Sequence, residues 1–592
     1  MLSMIWKTVL CLCCLGQITL SHADAGARTN VVLILIDDLN HYGVTAYGAS
    51  TVGSASGSFE PMTIHTPNID ALANEGFMAA NAFSYPLCEN TRVALMSGKY
   101  NQRNLIQAKS LHHSDITFGD LFQRAGYKTG FFGKWKQSRG TTDIPALQYP
   151  FEFGWDEFSA FDVHTAGQRY INPLLAINGV EENYAGRTDL DPATGRRWYG
   201  PDIINRHALA FIDRHKDEPF FLYYPMLLIH SETQPTPDTV PASAFDEFPE
   251  ADLPGGAKDN DDPRYIADNI AYTDKLIGRV IDKLEELGLR ENTLVVVVGD
   301  NGSPTRFTHI LADGTDYRGG KGLNTDNGLH VPLILNMPRT IPASNGAQYP
   351  GLTHITDILP TIADAAQVPV PNSTTLDGIS FWQQALGAEG EPRSLIHHWY
   401  IGNNDYTTVE GKTEYIFNKA FKYYAPDSRF PDGRFFDLRS DPMEETGSAI
   451  QVSKNMPPLY QGLDVTALDA EQQAAYNELK SQLESARIVN ASDLYIYAPY
   501  HLLRPGESQD VLAITLPFST TRDSVVWVSS DPEIASIDKF GRLTAHKEGE
   551  VVIRAYSWSD AKPQANGVDP EFLTSGISDE VTLYVYDFLR YY

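Results

Sequence analysis

Cysteine is nearly absent from the working part of this sequence. Four occur in 592 residues, and three of them (Cys11, Cys13, Cys14) fall in an apolar N-terminal stretch, leaving Cys88 alone in the remainder. An exported chain with one thiol cannot close an internal disulfide, so a disulfide-stapled scaffold is excluded. Positive charge is also scarce. Lys and Arg number 46 against 75 Asp and Glu, a formal net charge of −29. Nucleic acid, whose phosphates need a basic face, is therefore not an expected partner. A local basic pocket can still sit inside so acidic a surface. Long apolar runs are missing too. The run from Thr8 to Leu20, behind Lys7 and ahead of small residues around Ser21–Ala25, is too short for a comfortable membrane span. Residues 1–25 read instead as a secretory signal, which makes the expected location exported, periplasmic or extracellular. No later segment is long and apolar enough to span a membrane.

What remains is a chain long enough for several domains, each with its own core. Asn30 to Asn40 is a continuous β-branched and leucine run ended by acids, the pattern of a strand buried on both faces of a parallel sheet. Asp37 and Asp38 stand at its carboxyl end, where ligands of open α/β sheets gather. Adjacent acids there repel each other unless a cation neutralises them, and a hard divalent metal is the natural occupant. Glu218 to His230 reads as a second such strand and Asn292 to Gly302 as a third, the latter bringing Asp300 and Asn301 to its end. Helices are expected from Thr66 to Gly76, Phe118 to Gly126, Tyr265 to Gly288 and Asp469 to Arg487. The segment Tyr85-Pro86-Leu87-Cys88-Glu89-Asn90-Thr91-Arg92 runs into Val93-Ala94-Leu95-Met96-Ser97-Gly98, a helix packed on a core and closed by glycine. A thiol at that helix N-terminus, with Arg92 one turn on, is expected in an electropositive, reactive setting.

Cys88-x-x-x-Arg92 followed by Leu95-Met96-Ser97-Gly98 resembles the signature of the type I sulfatases, a family of alkaline-phosphatase-like fold. The resemblance extends over roughly residues 28 to 488. It implies an α/β catalytic domain with a mostly parallel central sheet flanked by helices, over residues 26–390. A small antiparallel subdomain at 391–489 would follow. From Asn490 onward, short alternating strands resemble a group-2 bacterial immunoglobulin-like module, an all-β domain at 490–592. For the site, the resemblance implies that Cys88 becomes formylglycine, made by a formylglycine-generating or sulfatase-maturating enzyme. It implies Ca²⁺, with Mg²⁺ as the other candidate, on Asp37, Asp38, Cys88, Asp300 and Asn301. Arg92 would orient the nucleophile, Lys134 and Lys321 would hold the sulfate, and His230 would protonate the departing alcohol. Two departures stand out. The usual Cys-x-Pro-Ser-Arg reads here with Asn90 and Thr91 at its third and fourth positions, and the usual Gly-Lys-Trp-His reads Gly133-Lys134-Trp135-Lys136. Lys136 is counted with the sulfate-holding residues. The implied function is hydrolysis of sulfate esters on a carbohydrate or polysaccharide. The alternatives are an inactive sulfatase fold that binds sulfated glycans and a phosphate or phosphonate ester hydrolase. A purely adhesive role comes last, because it leaves the acids at the strand ends unexplained.

Overall fold

The computed structural model describes residues 28–586, except 105–109, 112, 138–144, 164–167, 231, 250–260, 372–373, 402–411, 452–456, 487–492, 517–524 and 558–576. The expected signal segment lies outside the described residues.

The strand Asn30–Ile36 occupies the middle of a ten-stranded mixed sheet, and every one of its residues is buried. Its alternate side chains explain why. Val31, Leu33 and Leu35 enter one hydrophobic core, while Val32, Ile34 and Ile36 enter another on the opposite face. A strand covered on both sides needs an unbroken apolar run, and the sequence supplies one. Five strands at the centre are parallel: Thr293–Gly299, Asn30–Ile36, Phe220–Pro225, Lys128–Lys134 and Glu157–Phe161. The sheet is less uniformly parallel than expected, because Leu333–Asn336 inserts antiparallel between Thr293–Gly299 and Phe77–Phe83. Helices cover both faces. Cys88–Ser97, Phe118–Arg124 and Ile358–Ala366 bury their apolar residues in the first core. Pro67–Asn74, Gly200–Arg214 and Ile266–Glu286 bury theirs in the second. The start of Pro67–Asn74 has proline at its first position, where no amide hydrogen is missed.

One expected strand is shorter than its apolar run. Phe220 to Ile229 is buried throughout, but the strand ends at Pro225, which has no N–H to continue the ladder. Residues Met226 to Ile229 still bond to the extension of the central strand, since Asp37 N donates to Leu228 O and Ile229 N to Asp37 O. His230 therefore follows an irregular buried segment rather than a strand end.

Beyond the large sheet, Ile396–Ile401, Lys412–Phe417, Phe421–Tyr424 and Arg434–Asp437 form a four-stranded antiparallel sheet. The helix Ala470–Ser485, capped by Asp469 and Gln472, buries Leu479 and Leu483 in a cluster with Phe421 and Phe435. The last part of the chain is entirely β among the described residues, with its own core around Val511, Leu543, Ile553 and Leu583. It meets the large domain through Lys539 and Phe540. Lys539 Nζ pairs with Asp120 at 2.7 Å and donates to the carbonyls of Asp115 and Glu152. Among the described residues no helix is long and apolar enough to cross a membrane.

Candidate active site

The central strands Asn30–Ile36 and Thr293–Gly299 run in parallel register, so the residues just past their ends meet. Asp300 N donates to Ile36 O at 3.0 Å, and Asp38 N donates to Asp300 Oδ1 at 2.9 Å. Asp38 adopts a left-handed backbone (φ 62°), a conformation aspartate tolerates better than most residues. Asp37, Asp38, Asp300 and Asn301 are all fully buried. Oxygens of the three aspartates lie within 4.8 Å of one another.

Three cations face these three carboxylates. Arg92, with no solvent exposure, sends one nitrogen to both Asp37 Oδ2 (3.2 Å) and Asp300 Oδ2 (2.9 Å). Its other terminal nitrogen donates to Lys134 O at 3.2 Å. Lys134 Nζ lies 2.6 Å from Asp37 Oδ2 and 3.4 Å from Cys88 Sγ. Lys321 Nζ lies 2.7 Å from Asp38 Oδ2. Burial works against charge at every one of these groups, and pairing decides the outcome. Burial alone would push Asp37 up, but the charges of Lys134, Arg92 and Lys321 hold it well below the carboxylate range. Asp300 goes the other way, pushed up to about 7 by burial and by the Asp37 carboxylate.

The oxygen set suits a hard cation. Among the described residues, Asp37 Oδ1 and Asn301 Oδ1 are buried with no hydrogen-bond partner. Buried oxygens left without donors are costly, and a divalent ion is the group that satisfies them.

Cys88 opens the helix Cys88–Ser97, which closes on Gly98 in the left-handed region (φ 65°). The expected reactive thiol is corrected here. Burial raises the Cys88 pKa above its ordinary value, ahead of the opposing pull of Lys134. The cation beside Sγ is Lys134, while the Arg92 guanidinium is taken up by the two aspartates. Asn90 and Thr91, the departures from the usual motif, have structural partners. Asn90 Nδ2 donates to Asn101 Oδ1, and Asn101 Nδ2 donates back to Asn90 O, both at 3.1 Å. Thr91 Oγ1 donates to Tyr85 O at 3.2 Å and accepts from Tyr85 N at 3.1 Å. Together they clamp the turn that presents Cys88.

A ring nitrogen of His230, an oxygen of Asp37 and Cys88 Sγ lie within 4.8 Å of one another. Its Nδ1 lies 2.8 Å from an Arg169 guanidinium nitrogen, and Arg169 is itself paired with Asp162 at 3.2 Å. A guanidinium only donates, so Nδ1 accepts and the ring proton belongs on Nε2. Burial, then Lys134 and Lys321, push the His230 pKa well below its ordinary value. Lys136 sits at the rim, in a left-handed backbone (φ 63°), with Nζ 3.6 Å from Glu89 Oε1.

The structure thus brings Asp37, Asp38, Cys88, Arg92, Lys134, His230, Asp300, Asn301 and Lys321 into one centre, with Lys136 beside it. Two further residues adjoin the centre, Arg169 beside His230 and Glu89 beside Lys136. Arg169 lies in a stretch with no periodicity or motif, and nothing in the sequence marks it. Glu89 stands inside the motif as a lone acid, which was the signal available.

Comparison with known proteins agrees with this architecture. The family model described as Sulfatase matches residues 29–368, more than half of the chain. The model described as Bacterial Ig-like domain (group 2) matches residues 499–564. Human arylsulfatase D is 25% identical over 480 residues, covering 67% of this chain and 75% of that protein. An N-acetylgalactosamine-6-O-sulfatase of Bacteroides thetaiotaomicron is 23% identical over 517 residues, covering 74% and 93%. A structure solved in complex with its substrate D-glucosamine-2-N,6-O-disulfate superposes with a TM-score of 0.55 at 20% identity, covering 77% of this chain and 97% of that one. At that identity the superposition speaks for the fold. The chain belongs to the sulfatase family, the sulfuric ester hydrolases, and carries a bacterial immunoglobulin-like domain near its C-terminal end.

Proposed function

We propose that this protein is an exported sulfatase acting on a sulfated carbohydrate, with residue 88 converted from cysteine to formylglycine by a maturation enzyme of its host. A hard divalent cation, Ca²⁺ before Mg²⁺, would be held by Asp37, Asp38, Asp300 and Asn301 together with residue 88. The observation that carries the reading is the meeting of Cys88 with two partnerless buried oxygens and three cations in one buried centre. The acidic exterior and the leader composition support export, and the sulfated sugars named for two of the relatives support a saccharide substrate.

When bound, the cation would supply positive charge against the nucleophile, and the hydrated aldehyde at residue 88 would supply the attacking hydroxyl. The chain's own residues do the rest. Lys134 and Lys321 place two ammonium groups beside residue 88, where they offset charge on the sulfate oxygens. Burial pulls both lysines down, but their acidic neighbours together, Asp37 foremost at Lys134 and Asp38 at Lys321, raise each above the ordinary lysine pKa. Arg92 locks the two strand ends at a fixed separation. The N-terminus of the helix Cys88–Ser97 adds the partial positive charge of its free N–H groups. Arg169 holds His230 so that its Nε2–H can donate to the departing alcohol oxygen. Lys136, paired with the buried Glu89, would meet the substrate at the rim.

Protein from its native host should release sulfate from 4-nitrophenyl sulfate, lose that activity in EDTA and regain it with Ca²⁺. Cys88→Ala should lower kcat by about a thousand-fold or more. Faster release of phosphate from 4-nitrophenyl phosphate would contradict the assignment.

A further inference from the structure

A cavity of about 710 Å³ lies where the large domain meets the antiparallel subdomain. Its wall includes Leu87, the residue before Cys88, and Gly322, the residue after Lys321, so it borders the reaction centre. A volume of that size is typical of a site that takes a small organic ligand. Tyr400, Tyr424 and Tyr460 give it aromatic surface, and Arg318, Arg429 and Arg434 give it positive charge.

Arg434 is the member that needs an explanation. It opens the strand Arg434–Asp437 and is only 5% exposed. Its guanidinium carbon lies 3.7 Å from the centre of the Tyr424 ring and 5.0 Å from that of Phe430. Among the described residues it has no carboxylate partner. The buried acid on the same wall, Glu444, is already taken by Lys422 Nζ at 2.7 Å and by Tyr424 Oη at 2.6 Å. Asp316 and Glu445 also line the cavity, but both are exposed. Arginine cannot shed its proton, and a buried guanidinium without a counter-charge is costly. Stacking on tyrosine offsets part of that cost. The aromatic contacts hold the group in place, and a guanidinium's N–H groups form a fork suited to a carboxylate or a sulfate. Arg429 does not duplicate it, since Asp427 already pairs with it at 2.7 Å.

The geometry points to a second anion subsite: Arg434 binds a carboxylate or further sulfate on the same saccharide whose scissile sulfate lies at residue 88. This rests on the proposed sulfatase activity for its place in catalysis, though not for binding. Lys134, Lys321 and the metal-site residues serve the scissile group, whereas Arg434 would select among sugars. The protein would favour substrates that carry two negative groups.

The test compares three disaccharides on the full-length protein: monosulfated and otherwise neutral, monosulfated with a uronate carboxylate, and disulfated. The readout is the ratio of kcat/KM for each doubly anionic sugar to that for the neutral one. Arg434→Gln should lower at least one ratio by about 10- to 100-fold, the loss expected for a charge-assisted hydrogen-bonded pair. The arm that responds identifies carboxylate or sulfate as the group recognised. Arg434→Lys keeps the charge and loses the fork, so its ratio should fall by less; it also decides the matter if the glutamine variant does not fold. Equal losses on all three sugars, or unchanged ratios, would overturn the subsite and leave Arg434 a packing residue. Calorimetric titration with the same sugars separates this from the catalytic reading. Discrimination in binding without turnover would retain the subsite and refute the sulfatase assignment. Turnover without discrimination would do the reverse.

Discussion

Arg92 is the residue on which the centre depends most. It is wholly buried, and one nitrogen bridges acids from two separate strand ends. Removing it leaves Asp300 without its ion-pair partner and Asp37 with Lys134 alone, which is more damaging than removing the whole cluster. Arg92→Ala should lower the unfolding free energy by about 3–5 kcal/mol, measured by urea denaturation. A loss under about 1 kcal/mol would mean the acids are relieved some other way. A second residue sets a pH dependence. His309 is 1% exposed, and burial pushes its pKa down from 6.5 to about 4. Below pH 6.5 the unfolded chain takes up a proton that the folded one refuses, so stability falls as pH drops from about 6.5 to about 4. This group alone accounts for about 3 kcal/mol of that fall. His309→Gln should flatten the melting-temperature profile over that window. An unchanged slope would show that other buried histidines dominate.

At the scale of elements, the helix Cys88–Ser97 is placed by its ends. Gly98 closes it at φ 65°, and a Cβ there would come 3.0 Å from Leu376 Cδ2 and 3.3 Å from Leu359 Cβ. Gly98→Ala should cost about 1 kcal/mol or more in stability and should lower kcat by displacing residue 88, both checked on one purified variant. A stable variant with full kcat would free the helix from this role. The elements were also the most legible part of the chain. Asn30–Ile36 and Thr293–Gly299 were readable because a strand buried on both faces must be apolar without interruption, and the acids that end such a run mark the site. Asp37 with Asp38 followed from that pattern, while Asp300 with Asn301 are legible as metal ligands through the sulfatase resemblance. What spacing could not encode is contact across the fold. Nothing in the sequence pairs Lys134 with Asp37, or Lys321 with Asp38, across separations of 97 and 283 residues. Arg169 behind His230 was invisible for the same reason. The thiol setting was misjudged because a helix N-terminus argues for a lowered pKa, while burial, which depends on the whole fold, argues more strongly the other way.

At the scale of the molecule, the immunoglobulin-like domain is anchored to the large domain by a defined contact. Lys539 is 16% exposed at its side chain and meets a nearly buried Asp120, while Arg124 lies 4.4 Å from the Phe540 ring centre. Burial raises the Asp120 pKa even with Lys539 present, so an uncompensated Asp120 would be costly. Lys539→Met should separate one calorimetric transition into two and lower the first by several degrees. A single unshifted transition would show that the contact carries no stability.

The central claim is that residue 88 works as an aldehyde in a sulfate-cleaving centre. Its most direct test is mass spectrometry of the peptide containing residue 88, from catalytically active protein made in the native host. The account requires the mass of formylglycine, with activity rising in proportion to the converted fraction. Active protein in which residue 88 remains an intact thiol would contradict it.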